Sequence, residues 1–138
     1  MIILDTNVLS ALMLLAPDQR VAAWLDQRPR SSIWTTSVTL FEVRFGLELL
    51  PAGKRRAGLF EDLERLLISI NYRIIPFDTE AAHEAGVLMA SRKVEGCPKE
   101  LRDTMIAGIV LSRHATLATR NVRDFEDISA IVVNPWSS

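Results

Sequence analysis

Three apolar residues, Ile2-Ile3-Leu4, give way at once to Asp5-Thr6-Asn7. The run is too short for a helix and suits a buried strand. Its polar end places Asp, Thr and Asn at a strand's carboxyl edge, the edge at which open α/β sheets bind ligands. The remainder of the chain repeats this pattern of short strand, then helix. Ile33-Trp34-Thr35, Arg73 to Pro76, Ala115 to Thr119 and Ile131-Val132-Val133 read as further strands. Helical patterns fall over residues 6–15, behind Asp18 to about Arg28, along Val38, Phe41, Phe45 and Leu49 up to Pro51–Gly53, from Lys54 to about Ile70, over Thr79–Val94 behind Asp78, and over residues 100–113. Such alternation predicts three layers, α/β/α, around a parallel sheet of four to five strands. At 138 residues the chain suits one domain over residues 1–138.

Composition narrows the classes of function. Apolar residues make up 49% of the chain and mean hydropathy is +0.16. A surplus of apolar surface points to an oligomer or a partner. The net charge of −1 gives no overall basic field, so nucleic acid could be bound only through a local patch. The single Cys97 excludes an internal disulfide and a cysteine-based zinc site, and fits a reducing cytoplasm. The opening residues lack the charged flank and cleavage site of a secretion signal. No apolar stretch has the length of a membrane span.

Four acidic positions fall at one predicted edge of the sheet. Asp5 ends the first strand, where an ordinary helix cap is the competing reading. Glu42 shares a helix face with Phe45, Gly46 and Leu49, which is expected to point inward. Its competing reading is a capping box, Thr39-Leu40-Phe41-Glu42, with Val38 and Val43 as the hydrophobic staple. Asp103 heads a stripe of Ile106, Ala107 and Val110; the simple alternative is a carboxylate favoured by the helix dipole, a purpose Glu100 already serves. Asp124 follows the strand that ends at Thr119, in Thr119-Arg120-Asn121-Val122-Arg123-Asp124-Phe125. Two unit charges about 4 Å apart repel by roughly 4 kcal/mol at an effective dielectric near 20. Converging carboxylates are therefore tolerable only with protons or cations between them. With oxygen ligands alone, the pattern selects a hard cation, Mg²⁺ or Mn²⁺, over zinc. Two such ions about 3.5–4 Å apart serve phosphodiester hydrolysis.

These residues resemble a known family in order and spacing. The matching segments are Ile3-Leu4-Asp5-Thr6-Asn7, Phe41-Glu42-Val43, Asp103-Thr104-Met105-Ile106-Ala107, the run from Ala118 to Phe125, and Asn134-Pro135-Trp136. Together they resemble the PIN-domain ribonucleases, and within these the VapC toxins of toxin–antitoxin pairs, in the FitB-like branch. The resemblance implies a PIN-like fold and a Mg²⁺- or Mn²⁺-dependent endoribonuclease acting on tRNA or ribosomal RNA. It also implies inhibition by a small VapB-like antitoxin, homodimers, and larger complexes joined by that antitoxin. Asp5, Glu42 and Asp103 match the three core acids of the family. The fourth place is expected to be filled by Asp124, with Asn121 a neutral ligand or water positioner. Asp5, Asp103 and Asp124 are the expected metal ligands, and Glu42 the residue that holds or deprotonates the attacking water. Thr6, Asn7 and Thr119 are expected to orient water or phosphate, and Arg120 to contact RNA phosphate.

Other readings stay open. An aspartyl phosphatase commonly carries a second Asp two residues after its nucleophile, where this chain has Asn7. A non-catalytic PIN-like binder should have lost core acids, and only Asn121 speaks for it. Lys54-Arg55-Arg56 reads as a solvated face, His83 and His114 as structural residues on helices, and Trp24, Trp34 and Trp136 as core or interface.

Overall fold

The computed structural model describes residues 1–14 and 16–137. Strand β1 (Ile2–Leu4) runs into helix α1 (Thr6–Leu12), followed by α2 (Gln19–Asp26), β2 (Ile33–Thr36), α3 (Ser37–Glu48), α4 (Lys54–Ser69) and β3 (Ile74–Ile75). Then come α5 (Thr79–Val94), α6 (Leu101–Ser112), β4 (Thr116–Ala118), a 3-10 turn (Val122–Phe125) and β5 (Val132–Val133). The five strands form one parallel sheet in the order β3-β2-β1-β4-β5.

Period-two alternation sends successive side chains to opposite faces of each strand. Leu4 and Ala118 pack with the helices α1 to α4, while Ile3 and Leu117 pack with α5 and α6. Both faces of the sheet are thus covered, which produces the expected three layers. The two helices of the second layer approach closely. A Cβ added at Gly108 of α6 would stand 2.5 Å from the Ala81 carbonyl oxygen and 2.7 Å from the Ala85 Cβ. No helix among the described residues is long and apolar enough to cross a membrane.

The caps of the helices follow their sequence signals in most places. Asp18 accepts from the Arg20 N–H, Asp78 from Ala81, and Glu100 from Arg102 and Asp103. Gly96, at φ 74°, closes α5, with the Cys97 N–H returning to the Arg92 carbonyl at 2.9 Å.

Some expectations need correction. The helix anticipated over residues 6–15 ends at Leu12, and Leu15 lies outside the described residues. Helix α3 is capped by Thr36, whose side chain accepts from the Thr39 N–H at 3.0 Å, so the capping box beginning at Thr39 does not form. Val43 and Leu47 face the core, whereas Phe41, Phe45 and Leu49 are 58%, 51% and 70% exposed. The stripe expected to face inward therefore faces solvent beyond Val38. His114 is not on a helix but in a left-handed turn after α6, at φ 50°. Lys54–Arg56 is only partly a free face, because Arg56 pairs with Glu48 at 2.8 Å.

Candidate functional site

The register of the sheet builds the centre of the site. Leu4 of β1 is the ladder partner of Ala118 of β4, so the next residues, Asp5 and Thr119, emerge side by side. They do so between β1 and β4, where the chain has turned from building one half of the sheet to the other. That switch point is the usual ligand crevice of open parallel sheets.

Asp5 is 3% exposed and densely held. Its Oδ2 accepts from the Thr119 hydroxyl at 2.7 Å and from Asn7 Nδ2 at 3.2 Å. The Thr6 N–H donates to its Oδ1 at 2.8 Å. Asp5 thus caps α1, as the simple reading held, and also stands over the crevice. Burial raises its pKa, against the hydrogen bonds from Thr119, Thr6 and Asn7 that favour the charged form.

Thr119 and Asn7 knit the β4 end into the same network. Thr119 Oγ1 accepts from Asn7 Nδ2 at 3.3 Å and from the Asn121 N–H at 3.0 Å. Asn7 Oδ1 accepts from the Arg120 N–H at 3.0 Å. Arg120 itself is exposed, its guanidinium 4.9 Å from the centre of the Trp136 ring.

Glu42 enters from α3. Thr39 and Glu42 are three residues apart and share one helix face. Thr6 Oγ1 donates to Glu42 Oε1 at 3.0 Å and lies 3.2 Å from Thr39 Oγ1. Arg102 Nη1 stands 3.8 Å from Glu42 Oε2. Burial raises the pKa of Glu42, opposed by Thr6 and Arg102. In sequence Thr39 reads only as a helix cap paired with Glu42; its place three residues before Glu42 also signals that it shares the site.

Asp103 sits in the first turn of α6. Among the described residues its carboxylate has no hydrogen bond or ion pair, and neither does that of Asp124. Burial, with the charges of Asp5, Glu100, Glu42 and Asp124 behind it, pushes the Asp103 carboxyl up to about 6. Asp124 lies in the 3-10 turn and is partly buried. Asn121 presents an exposed side chain and joins the network through its backbone N–H.

Asp5, Glu42, Asp103 and Asp124 are thus brought to one crevice from four separate segments. The donor set fits a hard divalent cation: among the described residues two unpaired carboxylates stand beside a buried one, and burial together with the neighbouring negative charges raises the Asp103 carboxyl. Among the described residues no three Asp, Glu, His or Cys side chains are gathered tightly enough to enclose an ion by themselves. A cation that keeps several of its waters and takes only one or two carboxylates does not need such an enclosure.

The PIN domain family profile matches residues 2–131. The chain is similar to the VapC ribonuclease Y4jK of Sinorhizobium fredii, with 37% identity over 137 residues, 99% of this chain and 98% of that one. It is similar to toxin FitB of Neisseria gonorrhoeae, with 34% identity over 137 residues and 99% of each chain. The crystal structure of FitAcB from Neisseria gonorrhoeae matches it with a TM-score of 0.90 and 34% identity, over 100% of both chains.

Proposed function

The chain belongs to the PIN-domain family, in the branch of the VapC and FitB toxins, and on that premise we propose that it is a divalent-metal-dependent endoribonuclease acting on structured RNA. Asp103 carries this reading. Among the described residues it is a partly buried carboxylate without a partner, its pKa raised to about 6 by burial and by the other acids of the crevice. Above that pH, where the proton is lost, a cation is the partner that stabilises such a group.

Asp5 and Asp103 are the residues that would hold the ion, with Asp124 completing the set from the β4 side. When bound, Mg²⁺ or Mn²⁺ polarises the scissile phosphate and lowers the pKa of the attacking water. Glu42 is suited to take the proton from that water, since its raised pKa moves it toward the range of an effective general base. Thr119 and Asn7 fix the Asp5 carboxylate, and Thr6 fixes Glu42. Arg120, stacked on Trp136 at the rim, is placed to meet an RNA phosphate. Asn121, exposed beside it, orients water at the same rim. The phosphatase alternative needs an acid at position 7, but Asn7 is already engaged with Asp5, Thr119 and Arg120.

A cognate antitoxin is the proposed inhibitor. The name of the FitB relative says toxin, and a pocket shares Thr6 and Glu42 with the site. Met13, Val43, Gly46 and Leu59 line it as well. One end is acidic and the floor is apolar, which suits an amphipathic segment ending in a cationic side chain. A homodimer, joined into larger complexes by the antitoxin, is the proposed assembly.

The test is cleavage of tRNA and ribosomal RNA by purified protein in Mg²⁺ or Mn²⁺. Asp5→Asn and Asp103→Asn are each expected to lose at least about a hundredfold in rate, as expected for losing charge stabilisation worth a few kcal/mol. Equal cleavage by wild type and Asp5→Asn would sink the reading.

A further inference from the structure

Arg92 is a cation near the C-terminal end of α5 with a residue exposure of only 1%. It is not one of the acids' own side-chain partners, yet two separate segments, the start of α6 and residues 124–127, meet on its guanidinium. Nε donates to Asp127 Oδ2 and Nη2 to Asp127 Oδ1, both at 2.8 Å. Nη2 also donates to the Asp124 carbonyl oxygen at 3.1 Å. Nη1 donates to Thr104 Oγ1 at 2.9 Å, and that hydroxyl in turn donates to the Glu100 carbonyl at 3.1 Å. Thr104 follows Asp103 directly, and Asp127 closes the segment that carries Asp124.

We infer that Arg92 is a positioning residue, which sets the spacing of Asp103 and Asp124 by fastening the start of α6 and the 122–127 segment to one rigid, buried fork. The inference rests on the reading of those two acids as cation ligands. The planar guanidinium has fixed donor directions, so its bidentate grip on Asp127 also fixes where the Asp124 carbonyl must lie. Among the described residues neither carboxylate has a hydrogen-bond or ion-pair partner of its own to hold it in place. Their separation is therefore dictated by backbone, and the backbone on both sides is tied to Arg92. The pairing is a strong one, since its hydrogen bonds hold the Asp127 carboxyl below the usual carboxylate range. A lysine keeps the charge but presents no fork, so it cannot grip Asp127 and reach both Thr104 and the Asp124 carbonyl together.

Two measurements on wild type, Arg92→Lys, Asp127→Asn and Thr104→Val test this. The first is amide hydrogen exchange over residues 121–127. The second is Mn²⁺ affinity per folded molecule, followed by the free-Mn²⁺ electron paramagnetic resonance signal. Arg92→Lys is expected to exchange at least tenfold faster over 121–127 and to bind Mn²⁺ about tenfold more weakly, with RNA KM unchanged and kcat restored by excess Mn²⁺. Asp127→Asn, which spares the buried cation itself, carries the same expectation in smaller measure should Arg92→Lys fail to fold. Thr104→Val should weaken Mn²⁺ binding without loosening 121–127. Unchanged exchange, or faster exchange with wild-type Mn²⁺ affinity, overturns the positioning role. A wild-type protein that binds no Mn²⁺ overturns the metal-nuclease reading and with it the role at the site; exchange in the variants still decides whether Arg92 anchors 121–127.

Discussion

At the scale of single residues, Asp103 gives the sharpest expectation. Its carboxyl is raised to about 6, so the folded chain binds that proton more tightly than the unfolded chain. The resulting stability is fully present below the unfolded value near 4 and is lost as pH rises through about 6. The full shift corresponds to roughly 3 kcal/mol at about 1.36 per unit; with the group partly exposed to solvent, about 1 kcal/mol is expected. Metal-free Asp103→Asn should therefore melt above wild type at pH 8 and level with it near pH 4. A lower melting point for the variant at pH 8 would mark Asp103 as a structural cap. Thr119→Val makes the converse case. It removes the 2.7 Å donor to Asp5 and the acceptor of Asn7 and Asn121. Leaving such groups unmatched in a buried place costs about 1–3 kcal/mol, so urea unfolding should show that loss together with slower RNA cleavage. Asp5 and Thr119 were legible in the sequence because each follows a strand directly, and Asn7 because it belongs to the polar triplet that ends the first apolar run. Arg92 was not, because its partners lie 12, 32 and 35 residues along the chain, and only the packed fold makes it a buried cation.

Among the elements, α6 and α3 show where pattern decides and where it fails. The Asp103 reading depended on a buried stripe at Ile106, Ala107 and Val110, and all three are fully buried. Helix α3 carries two apolar stripes of the same period, one through Val43 and Leu47 and the other through Phe41, Phe45 and Leu49. Periodicity locates both, but only the sheet beneath chooses between them. Glu42 reaches the crevice even so, because it lies between the two stripes and meets Thr6 there. The contact of α5 with α6 was invisible for a different reason: a glycine in a helical run is ordinarily a weak point, and here it is a point of closest approach. Gly108→Ala would normally strengthen a helix by about 1 kcal/mol. With backbone oxygen 2.5 Å from the new Cβ, the layer must part, and overpacking of this kind costs about 1–3 kcal/mol. Thermal unfolding should register a net loss; a gain in melting temperature would mean that α5 can slide away freely.

For the whole molecule, strand and helix alternation was enough to give parallel strands covered on both faces, because no other arrangement buries strands apolar on both sides. The strand order β3-β2-β1-β4-β5 was not available from pattern, since β3 and β5 have two residues each and little to distinguish their neighbours. Yet that order makes the site, by setting the ends of β1 and β4 side by side. Covering both faces still leaves apolar surface over. Phe41 and Phe45 stack at 6.3 Å between ring centres on the outside of α3, with Leu49 one turn further on. A solvated row of this size is costly for a lone chain, and a two-fold pairing of the same row buries it on both copies at once. Sedimentation at tens of micromolar should give a mass of about 31 kDa, twice the chain's 15.5 kDa. Phe45→Glu places like charges across the pairing axis and should return the single-chain mass, while its Mn²⁺ affinity stays that of wild type because the acids lie on the crevice side. A single-chain mass for wild type at that concentration would assign the Phe41–Phe45 row to another partner.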